Sequence, residues 1–83
     1  MTKTWSKPVI LALGEDGADV TIDSTEAASW AMIEDWPTDD GEALDRALLV
    51  CAAVVERKGK KTDDDARKAF IAAAIEAGIA VKA

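Results

Sequence analysis

Residues 42–58 read EALDRALLVCAAVVERK, and this stretch decides the fold. Leu44, Ala47, Leu48, Cys51, Val54 and Val55 recur at helical spacing and mark a buried stripe. Leu49, Val50, Ala52 and Ala53 fill the remaining sides, so from Ala47 to Val55 the helix is apolar nearly all round. Such a helix has to be covered on several sides, by its own domain or by a second molecule. The run is far shorter than the ~20 apolar residues of a membrane span, and no membrane association is expected. Arg57 and Lys58 suit the negative end of the helix dipole, and Gly59 suits the residue after the cap.

On the N-terminal side, Lys7–Leu13 reads as a strand, with Pro8 tolerated at its start. Gly14-Glu15-Asp16-Gly17 is a turn. Ala18–Asp23 is a second strand, because Val20 and Ile22 alternate with polar residues. The two make an antiparallel hairpin. Asp23 or Ser24 caps a first helix that runs to about Asp35, and Asp23 with Glu26 has capping-box spacing. Trp36-Pro37 ends that helix. Thr38-Asp39-Asp40-Gly41 is a turn and cap.

On the C-terminal side, Thr62 with Asp65 resembles a capping box and opens a third helix. Ala66, Ala69, Phe70, Ala73 and Ala77 form its buried stripe, and Gly78 closes it. Ile79-Ala80-Val81 is either a short edge strand or a frayed tail. The expectation is an α+β fold: an N-terminal antiparallel β-hairpin followed by three α-helices, with an optional C-terminal strand, as a single domain over residues 1–83.

Composition narrows the chemistry. The chain is 49% apolar and 31% charged, which is globular rather than disordered. At 83 residues its core is modest, so Trp5, Trp30 and Trp36 are expected to supply much of the buried area. There is no His, which removes the commonest general base and zinc ligand together. Cys51 is alone and allows no internal disulfide. Val9–Leu13 is too short for a signal peptide and meets Gly14-Glu15-Asp16 without a cleavage site, so the expected location is the cytoplasm.

Trp5 with Pro8-Val9, Glu26-Ala27, Trp36-Pro37, Ala47 four residues before Cys51, Ala66-Arg67-Lys68-Ala69-Phe70, and the run Ala73–Ile79 occur in an order that resembles a small bacterial family known as domain of unknown function 982. The resemblance implies a stand-alone cytoplasmic protein. It carries over no activity and no catalytic residue.

Each candidate site has a plainer explanation. Gly59-Lys60-Lys61-Thr62 faintly suggests a phosphate loop, but Val54 stands where its first Gly belongs and Lys61 where its Ser or Thr belongs. Asp63, Asp64 and Asp65 also place three negative charges where an anion would sit. The acidic clusters Glu15, Asp16, Asp19 and Asp35, Asp39, Asp40, Glu42 lack the spacing of a calcium loop and suit turns and caps. Cys51 lies mid-helix on the apolar stripe with no base beside it, and reads as core. No catalytic residue, metal or cofactor is expected.

Charge is uneven. Residues 1–56 hold twelve acids against Lys3, Lys7 and Arg46, whereas residues 57–68 hold six bases against three Asp. With a net charge of −6, nucleic acid is a disfavoured partner. Three function classes follow. The first is a non-enzymatic protein-interaction module, acting on itself or another protein, with Leu49, Ala52 and Ala53 as the candidate interface and a homodimer as one form. The second is a nucleic-acid or acidic-partner binder using the basic patch Arg57, Lys58, Lys60 and Lys61. The third is a small-ligand binder or enzyme built on acids and Cys51.

Overall fold

A computed structural model describes residues 4–13, 17–37, 40–56 and 62–82. Two strands, β1 (Thr4–Ala12) and β2 (Asp19–Ser24), form an antiparallel hairpin. Three helices follow: α1 (Thr25–Glu34), α2 (Glu42–Val55) and α3 (Asp63–Glu76). The expected α+β order stands.

The hairpin register pairs Val9 with Ile22, Leu11 with Val20 and Ala12 with Asp19. Val9, Leu11 and Ile22 are buried on one face, as side-chain alternation in a strand requires. β1 begins at Thr4, three residues before the expected start. Thr4 pairs with Ser24 beyond a break in register between Thr4 and Val9. That break contains Pro8, which has no N–H to donate to a ladder. On the other side of β1, Ile79–Val81 makes no strand. It contributes a single antiparallel bridge, Val81 to Leu11, with Ala12 N–H donating to the Ala80 carbonyl (3.0 Å) and Lys82 N–H to the Ile10 carbonyl (2.7 Å).

The helix ends are set by local chemistry. Ser24, rather than Asp23, caps α1, accepting from the Ala27 N–H (3.0 Å). Thr62 and Asp65 form the expected capping box on α3. At the other end of α3, Gly78 has φ +77, its N–H donates to the Ile75 carbonyl, and Ile79 N–H donates to the Ala74 carbonyl. That pair of bonds is a Schellman closure.

The start of α2 is different. Its cap position is Gly41, with no side chain to accept a bond. Glu76, from the last turn of α3, takes that role: its carboxylate accepts from Ala43 N–H (3.1 and 3.2 Å) and Leu44 N–H (3.2 Å). A carboxylate is poorly placed at its own helix C-terminus but well placed at another helix N-terminus. Gly41 has φ +142, and a Cβ there would collide with the Glu76 carboxylate.

The core is one cluster: Trp5, Val9, Leu11 and Ile22 from the hairpin, Ala28, Ala31 and Met32 from α1, Leu44, Ala47 and Cys51 from α2, and Ala66, Phe70, Ala73 and Ala74 from α3. Within it, Trp5 Nε1–H donates to Thr25 Oγ1 (3.1 Å), and the Thr25 hydroxyl donates to Asp63 Oδ1 (2.8 Å). The relay joins β1 to the first residues of α1 and α3. Trp36 Nε1 is buried without an acceptor among the described residues. Trp30, expected in the core, is instead exposed, because the buried side of α1 carries Thr25, Ala28, Ala31 and Met32.

Two substitutions test these joints. Thr25→Val keeps the shape but leaves the buried Trp5 N–H without an acceptor, and should lower unfolding free energy by ~1–3 kcal/mol in urea titrations. Glu76→Ala removes the borrowed cap of α2 and should cost about 1 kcal/mol in the same assay.

Candidate interaction face on the first two helices

Of the three helices, the second has the smallest buried share, only Leu44, Ala47 and Cys51 of its 14 residues. The hairpin packs against α1 and α3, while α2 packs mainly on α3 and then on α1. Leu44, Ala47 and Cys51 therefore point inward, at helical spacing. Leu48, Val50, Ala53 and Val54 are half-buried. The sheet does not wrap the outer side as the all-round apolar pattern allowed, and Leu49, Ala52 and Val55 face out. Val55, expected on the buried stripe, is a correction. It sits at the end of the helix, beyond the reach of that packing.

The outer side of α1 continues this surface. Exposure is 58% at Trp30, 66% at Ile33, 73% at Leu49 and 55% at Val55. Trp30 and Ile33 lie one turn apart, on the opposite side from Ala28, Ala31 and Met32. Between the two helices runs an open groove of about 250 Å³ lined by Glu26, Ser29, Trp30, Ile33, Ala52, Val55 and Glu56. Leu49 lies one turn before Ala52 on the same side of α2.

Of the three residues expected at an interface, Leu49 and Ala52 are exposed, and Ala52 lines the groove. Ala53 is half-buried and turned further round the helix. Sequence reasoning did not assign Trp30, Ile33 or Val55 to this face. A signal for two of them was available: Trp30 and Ile33 are three apart and out of phase with the Ala28-Ala31-Met32 stripe.

The remaining candidates are placed as follows. Arg57, Lys58, Lys60 and Lys61, with Gly59, lie outside the described residues, as do Glu15, Asp16 and Asp39. Among the described residues no group of three or more Cys, Asp or Glu stands close enough to hold a metal ion, and no helix is long and apolar enough to cross a membrane. Cys51 is fully buried, and burial pushes its thiol from 9.0 up to about 11. At neutral pH it is a protonated core side chain, not a thiolate.

The sequence profile of a family described as "Protein of unknown function (DUF982)" matches residues 7–81. No curated protein and no solved structure matches the chain.

The thiol makes stability depend on pH. Above pH 9 the unfolded chain gives up the Cys51 proton first, so the unfolded state is favoured as pH rises towards 11. The contribution lost across that window is about 2–3 kcal/mol. Urea titrations of the wild type and Cys51→Ala at pH 7, 9 and 11 should show the wild type losing more stability by that amount.

Proposed function

This chain belongs to the DUF982 family, and we propose that it is a non-enzymatic protein-interaction module that binds through the outer face of α1 and α2. The observation that carries this reading is the line of Trp30, Ile33, Leu49 and Val55 on adjoining sides of two helices, with a groove between them. Each such side chain gains roughly 1.5–3 kcal/mol when covered, which the isolated chain forgoes. The groove is smaller than the ~300–1,000 Å³ of sites that enclose metabolites. It is better sized for a protruding side chain than for a substrate.

The absence of histidine from the sequence and the burial of Cys51 also favour binding over catalysis. The face is apolar where an electrostatic binder would carry its cations, so the reading does not depend on the basic stretch that follows α2.

An environment-sensitive apolar dye tests the face directly. Bis-ANS should brighten with the wild type, and about threefold less with Ala52→Glu, which puts a charge into the groove. Circular dichroism of the variant should be unchanged, since Ala52 is outside the core. At a concentration where the chain is monomeric, equal dye emission from both proteins, or none from either, would remove this face from consideration.

A further inference from the structure

Resting on the interaction-module reading, we infer that the occupant of the α1–α2 face is a second copy of this chain, packed about a two-fold axis. The first argument is area. An aromatic side chain covers ~150–250 Å² and the branched aliphatic ones less, so the exposed parts of Trp30, Ile33, Leu49 and Val55 amount to on the order of 400 Å². A specific interface hides ~800 Å² per partner and in total clears ~1,000 Å². Two copies face to face obtain about 800 Å² from these four positions alone. Ala52, Ser29 and the stems of Glu26 and Glu56 border the same groove and supply the rest.

The second argument is shape. A two-fold contact needs one patch that carries both a projection and a matching recess. This face has both: the exposed Trp30 and Ile33 on α1, and the groove that they line together with Ala52 and Val55 of α2. With the axis near Ala52, Trp30 and Ile33 of each copy lie over the α2 side of the other. Alanine at that point lets two helices approach closely. The result is a layer of four helices, two from each copy, with apolar residues hidden on both sides of α2.

The chain carries a net charge of −6, so two copies repel at long range. Raising salt from ~10 mM to ~1 M shortens the Debye length from ~30 Å to ~3 Å and removes that repulsion. An apolar dimer of this chain therefore tightens with salt.

Sedimentation equilibrium of the full chain between about 1 μM and 1 mM decides the matter. The wild type should reach twice the 8.8 kDa chain mass, more readily at high salt. Trp30→Ala should weaken association by about tenfold or more. Ala52→Glu should sediment as a monomer with unchanged helical circular dichroism. A wild type that stays at 8.8 kDa throughout overturns the second copy. So does a dimer that ignores Ala52→Glu, or one that loosens with salt. If the chain is monomeric but its dye binding is lost in Ala52→Glu, only the second copy fails and the interaction face stands. If the chain is monomeric and binds no dye, both fail.

Discussion

Phe70 is wholly buried on α3, at the point where Trp5 arrives from β1 and Trp36 from the end of α1. The two indoles tilt against it at 6.0 and 5.4 Å between ring centres. Most of the buried helix positions in the same core are alanine: Ala28, Ala31, Ala47, Ala66, Ala73 and Ala74. Small residues bring helix backbones together, and one large ring fills the space that is left. Within that cluster Trp5 is held by a polar contact as well as by packing. The Trp5 N–H is held by Thr25, and Thr25 by Asp63, across separations of 20 and 38 residues. A buried relay of this kind tolerates few alternative packings, because each one leaves a polar group without its partner.

That arrangement determines the surroundings of α2. α1 and α3 are occupied on one side by the hairpin, so α2 is left to pack on their outer edge. Its fully buried contribution is Leu44, Ala47 and Cys51, at its start and middle. The helix is anchored there by Glu76, which ties its first turn to the last turn of α3. Near the end of α2, Ala52 and Val55 open onto the groove, while Ala53 and Val54 are half-buried.

Periodicity made most of this architecture legible. Alternation at Val20 and Ile22, the helical stripe through Ala47 and Cys51, the Thr62–Asp65 box and the Gly78 stop are local signals, and each appears in the structure. The misreadings came from long-range geometry. No local pattern says that a glutamate will cap a helix 32 residues earlier, or that the strand starts at Thr4 and includes Trp5 rather than beginning at Lys7. Trp30 was misplaced because composition argues that a small chain needs its tryptophans inside. That need was met by alanines and Phe70. The candidate face was half legible: Leu49 and Ala52 were visible as surplus on one helix, but the exposed apolar residues of α1 beside them depend on how two helices meet.

Folding alone does not account for those exposed residues. At a solvent-facing helix position, Lys, Glu and Gln support the helix about as well as Leu does, and Trp and Ile support it less well. Leu49, Trp30 and Ile33 therefore add nothing to their helices that polar residues would not, and they expose apolar surface to aggregation. None of them is fixed by the Phe70 cluster or the Thr25 relay. The fold and the face are thus separable. The core is specified by small residues and one aromatic cluster, while the outer sides of α1 and α2 carry bulk that the core does not use. Side chains in that position lower the free energy of the protein only when another surface covers them, which is what supports reading the face as a place of association.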